Sequence, residues 1–196
     1  HTYFAPGTTL PGDLKWETTE QTNFGLDLGI IDNRLRFTAD YYIKKTRDLL
    51  NSVPLPPSGG FRTTIDNVGV ISNRGLELAV SSDILTGPLV WSVDANISFN
   101  RSKVEKLSKG QDILGSFINV TLLNDHFNII REGEPFSVFY GYLEDGYDEN
   151  GRLGNYKDLN NDGIINVRDK TIIGDPNPDF IYGLNSILSY KNFDLT

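Results

Sequence analysis

The stretch "LVWSVDANISFN", Leu89 to Asn100, decides the fold. Leu89, Trp91, Val93, Ala95, Ile97 and Phe99 fall on one side, and Ser92, Asp94, Asn96, Ser98 and Asn100 on the other. A period of two over twelve residues specifies a β-strand with one apolar and one polar face. The run is longer than the usual five or six residues of a soluble strand, and close to the 9–11 that cross a bilayer at a tilt.

The same pattern recurs outward from this stretch. In "TNFGLDLGII", Phe24, Leu26, Leu28 and Ile30 oppose Asn23, Gly25, Asp27 and Gly29. "RLRFTADYYIKKT" sets Leu35, Phe37, Ala39, Tyr41 and Ile43 against Arg36, Thr38, Asp40, Tyr42 and Lys44, and "NRGLELAVSSDIL" sets Leu76, Leu78 and Val80 against Glu77, Ala79 and Ser81. Tight turns are expected at Asp32-Asn33, Thr86-Gly87 and Lys191-Asn192, and long connections at roughly 46–66 and 102–132. The proline-rich "VPLPPSGG" reads as loop, because each proline removes a ladder donor. Short turns alternating with long connections are the asymmetry of an outer-membrane barrel. On this reading the apolar faces meet lipid, and Phe24, Tyr41, Trp91, Phe99, Tyr182 and Tyr190 suit an aromatic girdle. The alternative is a soluble sandwich whose apolar faces pack together, binding carbohydrate or mediating adhesion.

Composition narrows the function. The 196 residues carry a formal charge of −8 and show no Lys/Arg face for a phosphate backbone, so no nucleic-acid partner is expected. The absence of cysteine excludes disulfides, cysteine zinc sites and thiol nucleophiles. No apolar run reaches 18 residues, which excludes a transmembrane helix but not a membrane strand. Both ends read as cuts, "YKNFDLT" being a turn and a strand just begun, so a fragment is expected.

"DLNNDGIINVRD", Asp158 to Asp169, has calcium-loop spacing. Asp158, Asn160 and Asp162 stand at positions 1, 3 and 5, and Gly163 at the sharp turn. Ile164 offers a carbonyl at 7, Asn166 a water-mediated oxygen at 9, and Asp169 closes at 12. Its flanks are turn-rich rather than helical, so a structural Ca²⁺ clip is expected rather than a switch; the competing reading is a metal-free polar loop.

Five segments, in order and spanning nearly the whole chain, resemble the SusC/RagA family of TonB-dependent outer-membrane transporters of Bacteroidetes. They are "LKWETTEQTNFGLDLG", "DYYIKKTRDLL", "NVGVISNRGLELAV" (Asn67, Gly69, Asn73, Arg74, Gly75, Glu77), "REGEPFSVFYGYLEDGY" and "KDLNNDGIINVRDKTIIGDPNPDFIYGL". The resemblance implies an all-β fold: an antiparallel transmembrane β-barrel segment with long extracellular loops, from a barrel of about 22 strands. Residues 1–196 would be part of the C-terminal barrel half, supplying about eight or nine strands by the count of alternating runs. A calcium-loop insertion would lie at about 142–178, and the plug and TonB-contact segment would not be among these residues. It further implies uptake of oligosaccharides, peptides or other large nutrients in the outer membrane. The partners would be a SusD-like surface lipoprotein, the TonB complex acting through the missing plug, and outer-membrane lipid.

Enzymatic readings are weaker. Glu77 and Asp94 invite a glycosidase comparison, but spacing says little about geometry. His1 and His126 are too few for a zinc trio, and no nucleophile elbow occurs. The sequons at Asn96, Asn100 and Asn119 read as chance matches, and Arg131 and Glu134 as loop anchors. Phe61 and Phe117 can stack on sugar rings or pack loops together, the latter being preferred. No enzyme is expected.

Overall fold

The fold is read from a computed structural model, which describes residues 8–55, 60–61, 63–115, 117–120, 123–147, 150–151 and 154–196. Thirteen strands are described: β1 (Thr8–Thr9), β2 (Thr18–Ile30), β3 (Leu35–Pro54), β4 (Thr63–Thr86), β5 (Leu89–Leu107), β6 (Ile113–Leu114), β7 (Phe117–Val120), β8 (Leu123–His126), β9 (Asn128–Ile130), β10 (Val138–Tyr142), β11 (Lys170–Gly174), β12 (Ile181–Tyr190) and β13 (Phe193–Leu195). The main sheet has the order β13-β12-β5-β4-β3-β2, with β1 added parallel to β4. β9 and β10 sit between β11 and β6 in a second sheet, and β7 and β8 form a separate hairpin.

The chain divides into two units. One comprises residues 18–46, 72–102 and 178–196, and the other residues 1–17, 47–71 and 103–177.

The first unit is a meander of long strands. β5 and β12 run antiparallel from Ile181↔Ser98 to Tyr190↔Leu89. The expected tight turns are present, the second one residue later than expected because Thr86 still belongs to β4. Ile31, Asp32 and Asn33 all take positive φ, Gly87-Pro88 joins β4 to β5, and Lys191 turns with φ 54°. Asp and Asn tolerate that region, and Ile31 is a β-branched exception within the same turn.

The apolar faces of these strands are open. Leu26 is 52% exposed, Tyr182 72% and Leu184 71%, and Trp91 and Phe99 are exposed as well. Among the described residues every buried apolar side chain lies in the other unit: Val68, Ile71, Val104, Leu107, Ile129, Ile130 and Val138. A sandwich needs its apolar strand faces covered, and these are bare, so the sandwich alternative fails. Trp91 lies eight residues from Phe99 on the outward face, roughly 27 Å along a strand rising ~3.4 Å per residue. Only Val93, Ala95 and Ile97 lie between them on that face. At a tilt of about 40° this spans most of a membrane barrel's ~25 Å apolar band.

Several expectations need correction. The 46–66 connection is much shorter, because β3 continues to Pro54 and β4 begins at Thr63. Likewise β5 extends to Leu107, well inside the expected 102–132 loop. "VPLPPSGG" starts inside β3: Val53 and Pro54 close the strand, where a proline costs no interior ladder bond, while 56–59 lie outside the described residues. Among the described residues the main sheet carries seven strands, a path of six plus β1, rather than eight or nine, because the short strands of 113–174 pair among themselves.

The second unit holds the core. Val104, Leu107 and Ile130 are packed together with Ile113 and Phe136 against them. Backbone bonds from Val104 N to Glu134 O and from Gly133 N to Val104 O stitch β5 to the "REGEPF" turn. Glu132 caps the Leu107 amide at 2.7 Å, and Arg131 pairs with Asp112 at 2.8 Å. Arg131 is thus the loop anchor expected, through Asp112.

Candidate functional site

The polar face of the sheet builds a groove of about 510 Å³, lined by Gln21, Asn23, Asp40, Tyr42, Lys44, Asn73, Glu77 and Asn100, with Tyr41 at its margin. Alternation places them: each is an inward position on β2, β3, β4 or β5. Two glycines make room. A Cβ on Gly75 would overlap the Tyr42 ring, and one on Gly25 would lie 2.7 Å from Asp40 Oδ1. Tyr42 crosses Gly75 to donate to Asn100 Oδ1 at 3.2 Å. Thr38 donates to Asp27 at 2.8 Å, Gln21 to Asn23 at 2.8 Å, and Thr19 and buried Thr46 share a hydroxyl bond of 2.9 Å. The wall therefore offers amide, hydroxyl and carboxylate groups on a rigid ladder, the chemistry that holds hydroxyl-rich or peptide-like molecules by hydrogen bonds.

Glu77 lines this groove and Asp94 does not. Asp94 stands opposite Asn185, and the tight β4–β5 turn places Glu77 opposite Ser98, four residues further along β5. That is about 13 Å of strand, beyond the ~9.5 Å a glycosidase pair allows.

The Asn67-x-Gly69 part of the motif has a separate role in the other unit. The Asn67 side chain accepts from Lys15 N at 2.8 Å and donates to Lys15 O at 2.9 Å and Asp48 O at 2.7 Å. Gly69 takes φ 155°, and a Cβ there would overlap the Lys106 carbonyl. A pocket of about 240 Å³ beside it is lined by apolar residues such as Val53, Val68, Leu107 and Ile113 and by polar ones that include the Lys109–Asp66 ion pair. Phe61 is half-buried, and the Phe117 side chain lies outside the described residues. His126 Nδ1 is bonded to Gly115 O at 2.7 Å.

The aspartate loop is folded on itself. Asp158 accepts from Asp162 N at 3.2 Å and Gly163 N at 2.7 Å; Asn160 accepts from Asp162 N, and Asp162 from Ile164 N. Gly163 makes the turn at φ 79°. Asp169 is fully buried at the end of the 3₁₀ turn Val167–Asp169, capped by Asn166. Its carboxylate accepts from Asn166 N at 2.8 Å, Leu159 N at 3.0 Å and Asn160 N at 3.5 Å. These amides hold it below the ordinary aspartate value against the opposing effect of burial. Asn160 Nδ2 sits on Asp162 Oδ2, and Asn166 Nδ2 on the Ile164 carbonyl. Among the described residues, no three acidic or histidine side chains stand in a metal-holding cluster. The donors are all hard oxygens, which suits Ca²⁺, but here they serve the loop's own N–H groups.

The next residue, Lys170, is almost enclosed, pairs with Asp125 and lies over the Tyr142 ring at 5.3 Å. Sequence reading missed this lysine, since an isolated K in a turn-rich stretch carries no pattern.

An exposed apolar sheet face, a polar opposite face and short turns at one end define a segment of membrane barrel wall. The family model "TonB dependent receptor-like, beta-barrel" matches residues 2–195. The chain is 38% identical over 199 residues to TonB-dependent receptor P3 of Formosa agariphila, covering 93% of the chain and 20% of that protein. It is 36% identical over 196 residues to TonB-dependent receptor SusC of Bacteroides thetaiotaomicron, covering 94% and 19%. A solved structure titled "Structure of the RagAB peptide transporter" superposes with a TM-score of 0.75 at 26% identity, over 94% of the chain and 20% of that one. The chain belongs to the TonB-dependent receptor β-barrel family, as an outer-membrane SusC/RagA-type segment. That family consists of transporters rather than enzymes. The chain spans about a fifth of the length of the relatives it matches.

Proposed function

We propose that this chain forms part of the wall of a TonB-dependent importer that takes up oligosaccharides or other large nutrients together with a SusD-like surface lipoprotein. The observation that carries the reading is the split of the sheet: an apolar face left bare outward and the 510 Å³ polar groove on the other side. The groove supports a hydroxyl- or amide-bearing cargo, because Asn23, Asp40, Tyr42, Asn73, Glu77 and Asn100 supply donors and acceptors on one rigid surface. The calcium-loop insertion at about 142–178 would belong, on this reading, to the extracellular side, where the lipoprotein would sit.

The test is uptake by cells in which the complete transporter is the sole route for a labelled oligosaccharide or peptide larger than porins admit. Uptake should require TonB and should fall several-fold when Tyr42 and Asn73 are replaced by Ala. Uptake that continues without TonB overturns the proposal.

Within the same reading, Ca²⁺ would be held by Asp158, Asn160, Asp162, the Ile164 carbonyl, Asn166 and Asp169, where it would neutralise the carboxylates and fasten the loop. The hard-oxygen donor set and the Gly163 turn support this. Calorimetric titration of the transporter with Ca²⁺ should show one site that is lost on Asp158→Ala with Asp162→Ala. An unchanged titration in that variant rules the site out.

A further inference from the structure

In Asn73-Arg74-Gly75-x-Glu77, the motif carried by β4, Gly75 seats Tyr42, and Asn73 and Glu77 line the groove. Arg74 is left over, and it is exposed. Alternation puts it on the apolar outward face with Leu76 and Val80.

Three observations fix what stands across from it. β4 and β5 are joined by the two-residue turn Gly87-Pro88, which sets Thr86 opposite Leu89. Tyr42 reaches over Gly75 to Asn100, so those two are also opposite each other. Both relations give the same register, and it sets Arg74 opposite Arg101. On the β3 side, Asp83 N bonds to Arg34 O and Tyr42 covers Gly75, which sets Arg74 opposite Ile43. One rung nearer the tight turns, Tyr41, Leu76, Phe99 and Phe180 follow on the outward face, with Phe99 and Phe180 in ring contact at 6.2 Å.

Two arginines facing each other across a ladder repel. Arg101 is partly compensated by Asp179 at 2.7 Å, an exposed pair. The Arg74 side chain makes no hydrogen bond or ion pair among the described residues. Lys45, the next outward cation on β3, stands opposite Glu20, so that position adds no net charge by the β2–β3 register that pairs Thr19 with Thr46. An unmatched positive charge is therefore concentrated at Arg74–Arg101. It lies just past the aromatic rung, at the end away from the tight turns. In a membrane barrel that is the depth of the lipid headgroups.

We propose that Arg74 and Arg101 form a binding site for the phosphate of an outer-leaflet glycolipid. Guanidinium groups grip phosphate by paired N–H bonds, and a dianion between them turns the cross-strand repulsion into attraction. The membrane-facing position, with apolar side chains directly beneath, selects a phosphate that carries acyl chains. Asp179 bonds to Arg101 and makes no ion pair with Arg74.

The experiment uses the complete transporter, stripped of lipid in detergent, with thermal unfolding and native mass spectrometry as readouts. The probes are a diphosphorylated outer-leaflet glycolipid, the same lipid after phosphatase treatment, and inorganic phosphate. The phosphorylated lipid should remain bound and raise the unfolding midpoint, and the dephosphorylated lipid should do neither. Arg74→Gln should weaken binding about tenfold, as expected for loss of a charge-assisted bidentate contact. In lipid-free detergent the same variant should be no less stable than the parent, because it relieves repulsion; a purely structural arginine would not behave so. Arg101→Gln serves as the second variant and should also weaken retention. Equal binding of the dephosphorylated lipid, or full retention by both variants, overturns the site. A full midpoint rise with inorganic phosphate alone overturns the assignment to lipid. Because barrel insertion is read separately by heat-modifiable migration, failure of this site is distinguishable from failure of the barrel reading.

Discussion

The Tyr42 ring occupies the space that a side chain on Gly75 would need, and its hydroxyl donates to Asn100 one strand further on at 3.2 Å. One side chain thus ties three strands together on the polar face. Glycine weakens a strand interior by itself; a ring laid across it replaces the missing side-chain contact.

Gly75→Ala should therefore cost about 1–3 kcal/mol, the usual effect of overpacking. Tyr42→Ala should also destabilise, but Gly75→Ala added to it should cost much less than it does alone. Thermal unfolding of the four proteins in a double-mutant cycle measures the coupling. Additive effects would mean that the two residues do not share the space.

Position 184 and position 185 differ only in which way they point. Leu184 stands opposite Ala95 on the apolar face, and Asn185 opposite Asp94 on the polar one. Leu184→Arg should cost about 2–4 kcal/mol if it lies near the bilayer midplane. Asn185→Arg should be close to neutral, with Asp94 opposite as a partner. Urea titration of the barrel refolded into lipid vesicles separates the two. Equal costs would deny that one face meets hydrocarbon.

How much of this was legible depends on whether one face of a strand meets a single environment. β5 alternates cleanly from Leu89 to Phe99 because one side meets lipid and the other a wet groove, so periodicity was enough. The signal fades in "TRDLLNSVP", where β3 runs on through Asp48 at φ 52°. A left-handed residue inside a strand resets the alternation, so the extension to Pro54 could not be read. β6 to β11 are two to five residues long, too short for a period-two pattern, and they pair among themselves. Ile129, Ile130 and Val138 are core residues with no sequence mark beyond being apolar. Gly75 could have been read further: a glycine inside a confident strand calls for a close neighbour. In the aspartate loop the spacing and the turn at Gly163 were legible. That Asp169 spends both oxygens on backbone amides was not, because spacing says nothing of which partner a carboxylate takes.

Asn67 makes three hydrogen bonds to backbone, two to Lys15 and one to Asp48. Asn67→Ala should loosen the segment around Lys15 by about 1–3 kcal/mol, a few ordinary hydrogen bonds. The effect should be local: faster amide exchange at Lys15 and near Asp48, with β5 and β12 unchanged. Asn67→Asp should fail to restore protection, because it keeps the acceptor for Lys15 N and loses both donations. Protection equal to that of the parent in either variant would show that the clamp is not what orders this segment.

Asp169 gives the aspartate loop a pH limit. Its carboxyl is held below the ordinary value of 3.8, chiefly by the Asn166 amide and then by those of Leu159 and Asn160. A folded-state value below the unfolded one contributes stability that is fully present above the unfolded value and lost as pH falls through the folded one. Asp125 shifts in the same direction, mainly through its bond with Lys170. The loop should keep its amide protection, corrected for intrinsic exchange, from neutral pH to about pH 4 and lose it below that. Asp169→Asn should lower protection at Leu159 and Asn166 already at neutral pH, since its amide nitrogen must face N–H groups, and should flatten the acid limb at those sites. Lys170→Met should remove the pairing that depresses Asp125 and leave the acid limb at Leu159 in place. If protection at Leu159 is lost well above pH 4 in the parent, another group governs the loop and the three amide bonds to Asp169 do not hold it closed.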